Sequence, residues 1–267
     1  MSADATARRI DALTIIGLAI LLMPLLTMWH EIGGHAAACA IQGGHVTTIG
    51  AFYVDCSGLA PWPRRIVAMA GVVVDTVIAL AAYAAWTRLR SPLPRLVAWY
   101  VWVGKGFVAA GYLCFSGLAG IGDYAPGQGL GDVPMPYLIR GIELLVGVAA
   151  YIWLVRRAMA TLTTMIGNAP ETQPARRRIA HLYYAAHCIA AVVVGLFNPV
   201  GIFITLASAA ASSFGGNAGY ISVGYDRPSG TTDAAFTIPR NWAVIVVGVV
   251  VLATFAIVLG PSIHPQR

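Results

Sequence analysis

Long apolar runs separated by short polar segments extend along almost the whole chain. At 1.5 Å per residue, each run is long enough to cross a hydrocarbon layer about 30 Å thick. The pattern predicts an all-α polytopic membrane protein with about six transmembrane helices. We place them at about residues 12–40, 66–86, 96–118, 137–166, 179–211 and 242–259. The fifth is expected to break near Asn198 and Pro199, because proline removes a helical hydrogen bond.

A different pattern separates the first two helices. Residues 46–54 are rich in β-branched and aromatic side chains and predict a short strand or β hairpin at the membrane edge, closed by Pro61 and Pro63. Two further segments rich in glycine, at residues 120–132 and 212–240, are predicted to be loops.

Composition supports an integral membrane protein, since 58% of the residues are hydrophobic, 10% are charged and the mean hydropathy is +0.73. We find no internal repeat and interpret residues 1–267 as a single integral membrane domain. The net charge of +6 does not indicate nucleic-acid binding, because the arginines lie in short segments between apolar runs. The four cysteines have no C-x-x-C spacing and indicate neither a zinc knuckle nor a disulfide framework.

The arginines predict an orientation in the lipid bilayer. In a six-helix arrangement most of them fall on one side, which the positive-inside rule makes cytoplasmic, together with both termini. Arg64 and Arg65 are the exceptions. A compact chain with short loops is compatible with a bacterial inner membrane. The arginines on the common side are Arg8, Arg9, Arg88, Arg90, Arg95, Arg156, Arg157 and Arg176 to Arg178.

Ionisable residues inside an apolar helix are costly and indicate function, and the first helix contains His30, Glu31 and His35. Zinc proteases carry the spacing H-E-x-x-H, in which the glutamate is the general base. Here the spacing is H-E-x-x-x-H, which sets the two histidines about 140° apart on a straight α-helix. A π turn or an unwound turn would bring them to one metal, and Gly33 and Gly34 favour such a distortion. Alternatively, Glu31 and His35 share a face, or the group is a polar patch bonded to neighbouring helices.

A hydrolytic zinc site usually needs a third protein ligand, often a carboxylate. Asp123 is the first candidate, because it follows a transmembrane run and lies in a glycine turn; Asp132 is the second. Both are equally compatible with solvated loop positions. Asp75 and Lys105 lie near the middles of the second and third helices and predict a structural ion pair between antiparallel neighbours.

The remaining histidines carry weaker signals. His181 and His187 are six residues apart and do not share a helix face well, so we interpret them as structural or interfacial. His45 is expected to belong to a turn rather than to a metal site.

The segment from Trp29 to Val46 resembles the site-2 protease family of intramembrane zinc metalloproteases. That family places a His/Glu/His motif in one transmembrane helix, followed by a turn of small residues and a membrane-associated sheet. Residues 70–75, with an Ala-Gly step before Asp75, look like its next landmark, and Gly122-Asp123 is similar to its Asp-Gly region. The resemblance covers about residues 12–125, and the helices at about 137–260 are additional.

The resemblance implies a zinc metalloendopeptidase with zinc held by His30, His35 and Asp123. Glu31 would activate a water for attack on a peptide carbonyl. The expected substrate is a locally unwound transmembrane segment of another protein. The alternative is a non-proteolytic metal-binding membrane protein or transporter derived from the same fold. A purely structural membrane partner, without metal, ranks third.

Overall fold

A computed structural model describes residues 9–198, 210–225 and 236–265. The structure is mostly helical (72%), with five long apolar helices and a small two-stranded antiparallel sheet, and is consistent with an all-α membrane protein. Those five helices are long and apolar enough to cross a membrane, and they span Ala12–Ile41, Pro61–Arg88, Pro92–Ala119, Pro136–Ile166 and Pro170–Gly195. A shorter apolar helix of 17 residues covers Trp242–Val258.

The first long helix consists of three segments. Helix α1 covers Ala12–Met28, a π-helical segment covers Trp29–Ala36, and helix α2 covers Ala37–Ile41. Asp11 caps α1, because its carboxylate accepts the Thr14 backbone N–H at 2.9 Å. Burial raises the pKa of Asp11, but its hydrogen bonds with Thr14 and the nearby Arg240 guanidinium hold the pKa below its usual value.

A β hairpin follows the first helix. Strand β1 (His45–Ile49) pairs antiparallel with strand β2 (Val54–Ser57), so the predicted hairpin is confirmed with its second strand displaced toward the C-terminus. A disulfide joins Cys39 of α2 to Cys56 of β2. The expectation of no disulfide was wrong, because the pairing depends on the hairpin folding back over the end of α2 and leaves no short Cys-Cys spacing.

The next three helices begin at prolines. Helix α3 covers Pro61–Arg88, α4 covers Pro92–Ala119 and α5 covers Pro136–Ile166. Pro61 and Pro63 therefore open α3 and do not simply close the hairpin, since proline is well tolerated in the first turn of a helix.

The fifth long helix is interrupted nearer its N-terminus than the break predicted near Asn198. It contains a 3-10 turn at Pro170–Thr172, helix α6 (Gln173–Arg177), a π segment at Arg178–Leu182 and helix α7 (Tyr183–Gly195). Helix α7 ends before the expected break, and Pro199 lies outside the described residues.

The predicted loop at 212–240 is partly helical, with a π turn at Ala210–Gly215 and helix α8 at Gly219–Ser222. Residues 226–235 of that loop lie outside the described part of the chain.

Helix α9 (Trp242–Val258) runs parallel to α1. Ile238 bridges Ile10 at one end of the bundle, and Ile263 bridges Ile49 of the hairpin at the other. We call these the arginine end and the hairpin end.

The prediction that both termini share one side is corrected for the described ends of the chain. The reason is that residues 216–220 run back toward the arginine end before α9 begins. Along this stretch Gly216 lies beside Gly111, and the Tyr220 hydroxyl donates to the Tyr100 carbonyl.

The core lies between these helices and is strongly aromatic. Tyr100 and Tyr183 stack with ring centroids 3.9 Å apart, and Trp99, Phe107 and Tyr220 pack edge-on around them. In contrast, the outer faces of the helices expose large apolar side chains, among them Leu80, Leu145, Trp153, Ile189 and Val250. Such faces are typical of helices that contact lipid.

Close packing of α1 against α9 depends on Gly17 and Gly248. A Cβ atom at Gly248 would lie 2.6 Å from the Gly17 carbonyl oxygen, so the helices would have to separate. We expect Gly248→Leu to reduce the free energy of unfolding by about 1–3 kcal/mol through overpacking. Thermal unfolding in detergent measures the effect. Val250→Leu on the exposed face of α9 is the control, and equal midpoints for the two variants would contradict this packing.

Candidate metal centre

The π-helical segment places both motif histidines on one face. A π turn bonds residue i to residue i+5, which brings together side chains that an α-helix would separate. As a result, the Nε2 atoms of His30 and His35 lie 3.1 Å apart, and both side chains are buried. The distortion that the five-residue spacing required is therefore present in the structure.

Two glycines allow helix α3 to approach this segment. A Cβ atom at Gly34 would lie 2.6 Å from Gly71 Cα, so a side chain there would push the helices apart. A Cβ atom at Gly71 would lie 2.5 Å from Nε2 of both His30 and His35. The space in front of the two nitrogens therefore exists only because residue 71 lacks a side chain.

Asp123 reaches the same point from the loop after α4. Its Oδ2 atom lies 3.4 Å from His30 Nε2 and 3.5 Å from His35 Nε2. Arg65 holds the loop, since its guanidinium donates to the Leu130 carbonyl at 2.8 Å and also to the Asp132 carbonyl. The first candidate for the third ligand is thus at the site, whereas the Asp132 side chain is exposed.

The outer hydrogen bonds of the histidines fix which nitrogens face the centre as acceptors. His30 Nδ1 lies 2.8 Å from the Asp75 carboxylate, and His35 Nδ1 lies 2.8 Å from the Val67 carbonyl. Because both partners only accept hydrogen bonds, each Nδ1 carries the proton and each Nε2 presents a lone pair.

Three electron-rich atoms therefore converge, and they need a positive charge between them. One proton can bridge the two nitrogens, yet Asp123 Oδ2 is buried and has no hydrogen-bond partner. A metal cation satisfies all three atoms at once.

The spacing of these atoms fits zinc. Zinc binds histidine nitrogen and carboxylate oxygen at about 2.0–2.2 Å, so two ligands of a tetrahedral site lie about 3.3–3.6 Å apart. The two separations from Asp123 Oδ2, 3.4 and 3.5 Å, match that edge, and the 3.1 Å between the two histidine nitrogens is slightly shorter. His30, His35 and Asp123 would hold the ion as three protein ligands, an arrangement that leaves a fourth position for water or substrate.

Glu31 is buried between two cavities. An open cleft of about 740 Å³ is lined by Glu31, both histidines and Asp123, with strand β2 on one wall and the Asp123 loop on the other. A smaller cavity of about 40 Å³ lies deeper in the bundle and includes Glu31, Lys105 and His187. Glu31 can therefore exchange a proton with a group bound in the cleft.

The predicted ion pair between Asp75 and Lys105 is confirmed, and it has a further partner. One carboxylate oxygen of Asp75 accepts from Lys105 Nζ, while the other accepts from His30 Nδ1. Asp75 is fully buried. The pair therefore orients the His30 ring, in the position that carboxylates take behind metal-bound histidines. Tyr112 adds a stacked ring 5.2 Å from the His30 ring centroid.

The other histidines lie away from the centre. His181 Nε2 lies 3.1 Å from the Ile221 and Val223 carbonyls, which is a structural role. His187 lines the inner cavity, and His45 begins β1 after the turn. Val67 and Tyr112 also contact the two histidines, and no pattern in the sequence indicated them. Gly71 belongs to the Ala-Gly step noted in the sequence.

Comparison of the chain with protein-family models, curated proteins and solved structures gave no match.

We expect the purified protein to bind about one zinc ion per chain and Asp123→Asn to lose most of it, because one of three ligands would be neutralised. Metal analysis of protein purified in detergent measures the stoichiometry. Asp132→Asn is the matched control and should retain zinc. Equal zinc content in the two variants would remove Asp123 from the site.

Asp75→Asn should weaken zinc binding about 10–100-fold while leaving the three ligands in place, because it disturbs the orientation of His30. Competition with a zinc indicator gives the dissociation constant. Thr76→Val, one residue along the same helix, serves as the reference. Unchanged zinc affinity in Asp75→Asn would show that the ion pair is structural alone.

Proposed function

We propose that this chain is an intramembrane zinc metalloprotease, similar to the site-2 protease family, that hydrolyses peptide bonds of transmembrane protein substrates. The observation that carries this proposal is the convergence of His30, His35 and Asp123 beside a buried glutamate, at the base of a cleft between apolar helices. The resemblance of the segment around the motif adds support.

Each residue has a role in peptide hydrolysis. His30, His35 and Asp123 would hold zinc, which would supply a Lewis acid for activating water near neutral pH. Glu31 accepts a proton from the attacking water and donates it to the leaving amine. Asp75 holds the His30 ring, and its pairing with Lys105 compensates the buried charge.

The cleft suits an extended peptide. Helical substrates have their carbonyls in hydrogen bonds, so a scissile bond becomes reachable only where the helix unwinds. The cleft lies between strand β2 and the Asp123 loop, and its volume of about 740 Å³ accommodates a short extended segment. Tyr53 and Phe115 line its walls and offer apolar surface to such a segment.

A bilayer location follows from the same arrangement. Helix α9 has 17 residues, at the lower limit for crossing a hydrocarbon core, and would complete six apolar spans. The arginine-rich ends of the helices favour a cytoplasmic location for the arginine end, in a membrane such as a bacterial inner membrane.

Replacement of Glu31 tests the proposal. Glu31→Gln should abolish proteolysis, by at least about 100-fold, because it removes the general base, while zinc binding persists. The measurement compares new protein N-termini, by peptide mass spectrometry, in membranes of cells producing either form. Glu171→Gln, which changes a glutamate outside the cleft, is the control.

The outcomes separate the candidate functions. N-termini that depend on Glu31 support a protease. Zinc binding without any Glu31-dependent cleavage would instead favour a non-proteolytic metal-binding protein, and cleavage retained in Glu31→Gln would remove Glu31 from the chemistry.

A further inference from the structure

The Cys39–Cys56 disulfide marks the hairpin end of the bundle. It ties the end of the motif helix to strand β2, and Cys39 is fully buried. Disulfides persist in oxidising compartments, such as the bacterial periplasm, and are rare in the cytosol. The end of the bundle that carries this bond is therefore the end expected to face an oxidising compartment.

The distribution of arginines points independently the same way. Arg88 ends α3, Arg90 lies in the link and Arg95 lies in the first turn of α4, and the run from Arg176 to Arg178 lies near the start of the fifth long helix, all at the arginine end. At the hairpin end the described residues include only Arg64, Arg65 and Arg140, so the excess of positive charge lies at the arginine end. Two unrelated properties, cysteine pairing and charge, thus assign the same orientation.

We propose that the metal-centre cleft opens to the oxidising, extracytoplasmic side of the membrane. The cleft is lined by Asp55 and Cys56 of the hairpin and by the Asp123 loop, all of which belong to the hairpin end. A peptide therefore enters from the side on which the disulfide forms, and the arginine end is closed to it by the aromatic core around Tyr100.

This orientation defines the substrate class, a step that rests on the proposed function. His35 precedes Cys39 by four residues and His30 precedes it by nine, which correspond to about 6 and 14 Å along a helix. The metal ligands thus lie in the outer half of a hydrocarbon core about 30 Å thick. The substrates are membrane-embedded segments cut in their extracytoplasmic half.

Thiol labelling of the full chain in cells tests the orientation. The free cysteines Cys114 and Cys188 are first replaced by alanine, and one exposed reporter is added per variant: Asp132→Cys at the hairpin end or Ser91→Cys at the arginine end. A membrane-impermeant maleimide applied to spheroplasts should label the Asp132→Cys chain, and should label the Ser91→Cys chain only after lysis. Any other pattern overturns the proposal.

Two further measurements keep sidedness separate from catalysis. Cells quenched with N-ethylmaleimide should yield Cys39 and Cys56 in one cross-linked peptide, and two alkylated thiols would overturn the assignment. In vesicles of known orientation, an impermeant chelator should remove zinc from right-side-out vesicles at least tenfold faster than from inside-out vesicles; the reverse order overturns the proposal. A correct labelling pattern with no bound zinc would refute the metalloprotease and leave the orientation standing.

Discussion

The site depends on one constraint, which is that three electron-rich atoms meet in a buried space where a single shared proton leaves Asp123 Oδ2 without a partner. His30 Nε2, His35 Nε2 and Asp123 Oδ2 lie within 3.5 Å of one another, and the protons of both rings are engaged on their outer sides. Burying such a group without compensation is very unfavourable. The glycine contacts, the ion pair behind His30 and the anchored loop together hold these three atoms close to one another.

The π segment is the local feature that makes this geometry possible. A straight α-helix would leave the two histidines on different faces, and the widened turn brings them together. Contact with helix α3 stabilises the position of the π segment, because Gly71 of α3 packs directly against Gly34 and leaves room for both imidazole rings. The distortion is thus maintained by tertiary packing, and helix propensity alone would not select it.

Much of the fold was predictable from the sequence because the helices of a membrane protein are long apolar runs, which are visible in the sequence. The first helix, the hairpin and the last helix were found within a few residues, and the structure brings the predicted residues His30, His35 and Asp123 close together. The starts of α3 at Pro61 and of α4 at Pro92 were predicted too late, because proline is also common in loops. The Cys39–Cys56 bond and the Val67 carbonyl depend on contacts between separate segments, which spacing along the chain does not record.

The five-residue interval between the histidines also has an evolutionary consequence. One inserted codon inside a four-residue interval would normally rotate the second ligand out of a site and end its activity. A helix that can widen by one residue absorbs that insertion locally, so the downstream register of the chain remains as it was. Histidine pairs on helices should therefore be compared by the face that their side chains share, because a fixed count of intervening residues overlooks pairs such as His30 and His35.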